Sequence, residues 1–439
     1  MQKAIKELIE KINTLSKEKP IKIISHNDTD GITSAAIFSR ALQRWNKKFS
    51  LQIVKNLEKE FIENLPENHV LIFLDLASGS LPYLEKKNTE IFILDHHEIM
   101  QSIPSNITII NPVLFKEENI SSSALCYLFA RELSEQNKDL ANLAVIGMIG
   151  DVLEKNIGKI YDKILKDAEV LIKKGILLYP ATRPLDRVLE NSLGFHIPGV
   201  TGSFKGVLEI LRESGIERGP KSFKSLAELT EKEMSSLLTA IMLKKSGEKY
   251  HSEIIGNIYL TKFFNRIEDA RELSAMINAC SRMDYPELSL GFCLGNKKLK
   301  KDAEKVYTKY RQSLSSALGR ISQMKKISGK NYTIINAQDK IKDTMIGTIA
   351  SIMSFSPSCP KGMIIITMAD CDTTKIKVSA RVAGRNGRNV REILARAVMP
   401  LSGEVGGHPN AAGCIIQKDQ EQDFIDNLKN ILDVELIKV

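Results

Sequence analysis

A chain of 439 residues exceeds what one ordinary hydrophobic core organises, so two or three domains are expected. Its 43% hydrophobic and 26% charged content is that of a globular protein and excludes a fibrous or disordered one. The net charge of +9 favours an anionic partner, nucleic acid first, although a lysine-rich solvated surface would give the same balance.

Aromatic residues make up 6% with a single Trp, which argues against a large base-stacking platform. Cys126, Cys280, Cys293, Cys359, Cys371 and Cys414 are scattered without a C-x-x-C pair. They read as small buried side chains in a reducing compartment, not as a zinc site or disulfide framework. The first ten residues form an amphipathic helix pattern with acids inside it, unlike a signal peptide. No run approaches the ~20 apolar residues that span a bilayer. A soluble cytoplasmic protein without membrane contact is expected.

In chain order, Ile21–Ile24 reads as a strand, Ser25–Gly31 as a tight polar loop, and Thr33–Leu42 as a helix with Thr33 as its N-cap. The loop presents His26, Asp28 and Asp30 at alternate positions, one side of an extended backbone. As simple turn formers these acids would need no further role. Val70–Leu74 is a second apolar strand ending in Asp75, with Ser78 and Ser80 before the next helix. Ile91–Leu94 is a third, ending in Asp95-His96-His97; Ile107–Ile110 is strand-like and stops at Asn111-Pro112. Ser121 begins a capped helix, and the apolar run 142–150, read as a buried helix, ends on Asp151.

Strands alternating with helices imply a parallel sheet, whose carboxyl edge is where ligands bind. One acid there is usually a cap; four, with histidines beside them, suit a two-metal centre. Carboxylate and imidazole donors favour Mn²⁺ or Mg²⁺ over a thiolate-bound metal. Two ions ~3.5–4 Å apart neutralise an in-line phosphoryl transition state. Asp75, on the strand between the other motifs, is the expected bridge. His69, His196 and His251 lie outside the motifs and read as ordinary.

Residues 155–328 turn Lys-, Glu- and Leu-rich and are expected to form a helical middle region, ending in one long helix over 297–326. Within it, the Gly-rich turn 197–204 precedes a helix and would suit either a phosphate or a plain cap. Lys297-Lys-Leu-Lys-Lys301 could track a nucleic-acid backbone or simply solvate a helix end. Ser328–Asn331 is the expected linker to a smaller α/β domain with strands at 332–336, 362–368 and 375–382, helices at 345–355 and 391–397, and a closing strand, helix and short strand. There, Arg381 can grip a phosphate bidentately, and Gly406-Gly407-His408 lets backbone amides approach an anion.

His26-Asn-Asp28-Thr-Asp30-Gly31, Asp75, Asp95-His96-His97 and Asp151 resemble the four motifs of DHH phosphoesterases. Gly406-Gly407-His408 with Asn410–Gly413 resembles the DHH-associated C-terminal domain. The resemblance implies a parallel-sheet DHH domain over 1–154, the helical middle region, and a substrate-binding domain over 329–439, with the active site in the cleft between the two. It implies that Asp28, Asp30, Asp75, His96 and Asp151 ligate two Mn²⁺ (Mg²⁺ being possible), that Asp75, as their bridge, and His97 are catalytic, and that His97, Arg381 and His408 contact the substrate phosphate. His26 stands two residues before Asp28, where several small-molecule members have four; it is similar here to the nuclease branch, in which this position is ligand-like. Asp95 would support an imidazole from behind. Within the superfamily the chain is similar to archaeal RecJ-like single-strand exonucleases, which implies single-stranded DNA or RNA as substrate in replication, repair or RNA turnover. A phosphodiesterase for short oligonucleotides or cyclic dinucleotides, and a replication or repair scaffold that binds a helicase, are the alternatives.

Overall fold

The computed structural model describes residues 1–99, 101–192, 196–245, 254–356, 359–385, 388–401, 403 and 405–434. His251 and the expected final short strand lie outside them. The chain divides into two compact units: Met1–Val188 with Leu211–Ala240 and His251–Tyr307, and Leu189–Ile210 with Ile241–Tyr250 and Thr308–Val439.

The first unit is built on a five-stranded parallel sheet of β1 (Ile21–His26), β2 (Phe49–Val54), β3 (Val70–Leu74), β4 (Ile91–Leu94) and β5 (Ile107–Ile110). The spatial order is β2-β1-β3-β4-β5. Every residue of β3 and β4 is buried, as unbroken runs of Leu, Ile, Val and Phe require when helices cover both faces. Each such side chain contributes roughly 1.5–3 kcal/mol by leaving water. The chain leaves β1 toward β2 and returns to β3 on the opposite side, so the order reverses between β1 and β3. That reversal opens a crevice at their carboxyl ends. His26 ends one of those strands and Asp75 follows the other.

β2 escaped the sequence reading. It is an edge strand whose residues alternate between half-buried and exposed, and Phe-Ser-Leu-Gln-Ile-Val carries no continuous apolar run. The helix after β1 also begins earlier than expected. It spans Thr29–Arg44 with Asp28 as its N-cap, so Thr33 is an interior residue whose hydroxyl donates to Thr29 O at 2.8 Å. Asp30 therefore lies in a helical first turn and not in extended backbone.

The middle region is largely helical but also holds an antiparallel sheet of β6 (Leu171–Ile176), β7 (Ile255–Phe263) and β8 (Arg266–Asp269). β6 was hidden by its Lys-Lys-Gly core, whose lysine side chains do not give a period-two pattern. The long helix is present as Lys297–Gln323; at its start Lys300 pairs with Glu268 and Glu304, committing one basic side chain within the chain itself.

In the second unit, β9 (Ile327–Ser328), β10 (Tyr332–Asn336), β11 (Ile364–Asp370), β12 (Lys375–Val382), β13 (Val405–His408) and β14 (Ala411–Gln417) form a mixed sheet ordered β13-β14-β12-β11-β10-β9. Ser328–Asn331 is a hairpin turn and not a linker: β9 pairs antiparallel with β10, and Gly329 N donates to Tyr332 O at 3.0 Å. Ile334, Ile364, Ile366 and Val378 pack with Leu394 and Leu428 of two helices to form this unit's own core.

Candidate metal centre

Local chain geometry brings the eight polar residues of the first unit to one edge. After His26 the backbone doubles back so tightly that a Cβ at Gly31 would stand 2.3 Å from His26 O. Asp28 Oδ1 accepts from Gly31 N at 2.9 Å, starting the helix. Asp30, fully buried, accepts from Ser122 N at 2.6 Å through Oδ2 and from Ser123 N at 3.0 Å through Oδ1. Those amides begin the helix Ser122–Leu133, so the positive end of its dipole faces the carboxylate.

Asp75 leaves β3 at φ +61°, and Ala77 follows at φ +91°. Such left-handed non-glycine residues cost on the order of 1–3 kcal/mol and persist where surrounding structure dictates them. Asp95, just beyond β4, is bonded to this loop. Its Oδ2 accepts from Ser78 N at 3.1 Å, while Oδ1 accepts from His96 N at 2.9 Å, His97 N at 3.3 Å and His97 Nδ1 at 2.7 Å. One buried carboxylate thus ties the Asp75 loop to the two histidines.

Asp75 divides the centre. Its Oδ2 lies 3.4 Å from His26 Nδ1, which is 3.0 Å from Asp28 Oδ2. Its Oδ1 lies 3.6 Å from His96 Nε2, which is 3.1 Å from Asp151 Oδ2. His26, Asp28 and Asp75 offer donor atoms mutually within 4.8 Å, as do Asp30, His96 and Asp151, and Asp75, His96 and His97. Both Asp75 oxygens, Asp151 Oδ2 and His26 Nδ1 are buried without a hydrogen-bond partner, their close approaches lacking hydrogen-bond geometry. Burial, with repulsion from Asp28 and Asp30, drives the Asp75 carboxyl well above the usual range; burial, with Asp30 and Asp28, does the same to Asp151. Orphaned acceptors in a surplus of negative charge fit divalent cations, and the oxygen and imidazole donors fit Mn²⁺ or Mg²⁺.

The sequence reading missed three contributors. Ser122 and Ser123 act through backbone N–H, which no side-chain pattern announces. Asn111, fully buried at the end of β5, donates from Nδ2 to His97 O at 2.8 Å and accepts from Val113 N at 3.0 Å. The Asn-Pro dipeptide at that strand end was the available signal.

Arg381, Gly406, Gly407 and His408 belong to the second unit. Arg381 on β12 and His408 on β13 both stand opposite Ala411 of β14, so register puts them on one cross-strand row. Arg381 Nε donates to Ser351 Oγ at 3.0 Å and Nη1 to Ala380 O at 2.8 Å, which fixes the guanidinium. The two glycines lie in β13, with Gly407 at φ +110°.

Residues 20–148 match the family model described as DHH family, N-terminal domain, and residues 329–433 match the DHHA1 domain. MJ0831, an uncharacterized protein of Methanocaldococcus jannaschii, is 30% identical over 460 aligned positions, covering 99% of this chain and 100% of its own. A putative single-strand DNA-specific exonuclease of Bacillus subtilis, YorK, is 23% identical over 213 residues, 44% of this chain and 37% of that one. In fold, the chain resembles RecJ from Thermus thermophilus (TM-score 0.61, 18% identity, 98% of this chain covered), spanning 54% of that longer protein. It also resembles CDC45 from Entamoeba histolytica, with TM-score 0.65 at 13% identity over 98% of this chain and 99% of that one. The two matched domains and the full-length archaeal relative place the chain in the DHH family of phosphoesterases, with a RecJ-like fold and a C-terminal DHHA1 domain.

Proposed function

We propose that this protein is a cytoplasmic, two-metal exonuclease that hydrolyses phosphodiester bonds of single-stranded DNA or RNA from an end. The observation that carries the reading is Asp75: two buried, orphaned oxygens, one turned to His26 and Asp28, the other to His96 and Asp151. His26, Asp28 and Asp75 would hold one ion; Asp30, His96, Asp151 and the second Asp75 oxygen would hold the other. Two Mn²⁺ or Mg²⁺ ions held there would supply Lewis-acid stabilisation of the phosphoryl oxygens and acidify water.

The remaining residues bind and orient. Ionised Asp95 accepts a hydrogen bond from His97 Nδ1, leaving Nε2 of that half-exposed ring to meet a substrate oxygen. Asp95 also keeps His96 and the Asp75 loop in place through backbone N–H bonds. Arg381 offers a pinned guanidinium and His408 a second polar group on the same row, with the Gly406-Gly407 backbone beside them. Residues 1–154 accordingly carry the chemistry and 329–439 hold the substrate. The single-strand exonuclease naming of the Bacillus relative, and the manganese complex of the Thermus protein, support substrate and metal.

The test is a Mn²⁺ digestion of single strands labelled at the 5′ or 3′ end, in DNA and RNA versions, beside a duplex and a dinucleotide. Release of mononucleotides from one labelled end of a long single strand is expected. Hydrolysis of the dinucleotide with no attack on any long strand would replace this reading by a short-oligonucleotide phosphodiesterase.

A further inference from the structure

We infer that Gly147 is a positioning residue for the Asp30–His96–Asp151 donor set, acting through the Asp30 carboxylate; this rests on the metal reading above. Gly147 belongs to the helix Ala141–Gly150, which delivers Asp151 at its end. A Cβ at Gly147 would lie 2.6 Å from Asp30 Oδ1, 2.0 Å from Ser123 Oγ and 2.7 Å from Ser123 Cβ. Three residues on, a Cβ at Gly150 would lie 2.7 Å from Thr29 Cβ. Two glycines on one helix face thus let this backbone press against the start of the Asp30 helix.

Asp30 has no room to retreat from an added methyl. Ser122 N and Ser123 N already hold both of its oxygens, at 2.6 and 3.0 Å. A methyl at 147 must therefore move the Asp30 carboxylate or the helix that carries Asp151. Either shift separates two donors now within 4.8 Å of each other and of His96. The set containing His26 and Asp28 shares no atom with this junction and should keep its ion.

The Ser123 contacts would make Gly147→Ala disruptive for packing reasons alone, so the decisive variant is Gly147→Ala/Ser123→Gly. It clears both Ser123 side-chain contacts, retains the Ser123 backbone N–H and leaves the 2.6 Å approach to Asp30 Oδ1. Bound Mn²⁺ is counted on the full chain by electron paramagnetic resonance titration, and thermal unfolding is followed in EDTA. The unaltered chain should take two ions, and the double variant should still unfold cooperatively in EDTA while binding one ion about 10–100-fold more weakly, the range seen when a ligand's support is removed. Two ions bound with unaltered affinity by the double variant would overturn the proposal and leave the metal reading intact. An unfolded double variant would overturn it too, making Gly147 a packing residue. Fewer than two ions on the unaltered chain would remove the metal reading and this proposal together.

Discussion

The Asp95 carboxylate accepts His97 Nδ1 at 2.7 Å, and the two groups set each other's charge. The hydrogen bond to Asp95 raises the His97 pKa against the effect of burial. Burial pushes Asp95 upward, yet the hydrogen bond and the charge of His97 hold it below the ordinary carboxylate range. A raised histidine stabilises the fold fully below its unfolded value of ~6.5 and loses that contribution as pH rises through the folded value. A depressed carboxylate contributes above ~3.9 and loses it as pH falls. Asp95→Asn should therefore lower Tm most between about pH 4 and 6.5, with the gap narrowing on both sides. Turnover should fall ~10–100-fold. The His97 ring resonance, followed by NMR, should titrate closer to an ordinary histidine; an unchanged midpoint would refute the coupling.

Asp75→Asn separates the fold from the metals. A carboxyl raised by burial in the folded chain destabilises it once pH exceeds ~3.9, and the cost grows as pH rises toward the folded value. In EDTA at pH 8 the variant should melt above the unaltered chain, and the difference should vanish near pH 4. With Mn²⁺ the order should reverse, because only the unaltered chain binds and is stabilised by its ligand. Turnover should drop at least ~1000-fold, about 4 kcal/mol of barrier. Because ions displace protons from Asp75 and Asp151, Mn²⁺ affinity of the unaltered chain should increase from pH 6 to pH 8. Calorimetric titration at the two pH values checks the sign.

How much of this centre can be read from residues alone follows from what each residue does. Val70–Leu74 and Ile91–Leu94 stop abruptly at an acid, so apolar patterning alone puts Asp75 and Asp95 at one sheet edge. Parallel pairing of both strands, in adjacent register, then follows from burial on two faces. Nothing in the residue types shows that Asp30 is held by main-chain N–H groups 92 and 93 residues away. Nor do they show the positive φ at Asp75. β2 and β6 were lost for a related reason: short strands with polar residues in their centres owe their pairing to tertiary context.

Val152 follows Asp151 at φ +59°, and is 46% exposed. A β-branched residue in the left-handed region costs roughly 1–2 kcal/mol. Replacing it by glycine relieves that strain but adds about 0.5–1 kcal/mol of unfolded-chain entropy. Val152→Gly should therefore stabilise the chain by a net ~0.5 kcal/mol, read from urea unfolding with an unchanged m-value. A loss of stability would mean the Val152 side chain contributes more packing than its exposure suggests.

Gly406 and Gly407 should respond oppositely to a methyl group. At Gly407, φ is +110° and a Cβ would stand 2.4 Å from Ala411 O, a backbone atom of the paired strand. Gly407→Ala should cost ~1–3 kcal/mol and loosen the β13–β14 pairing, visible as faster amide exchange at Ala412. A Cβ at Gly406 meets nothing within 4 Å, and the residue is exposed. Gly406→Ala should leave stability within about 0.5 kcal/mol. Its effect is expected on binding, because a methyl there keeps a phosphate from the backbone N–H groups beside His408. A raised KM with unchanged kcat and Tm is the outcome that assigns substrate contact to this strand. If Gly406→Ala left KM unchanged as well, the substrate would have to be held by Arg381 and His408 without the glycine backbone.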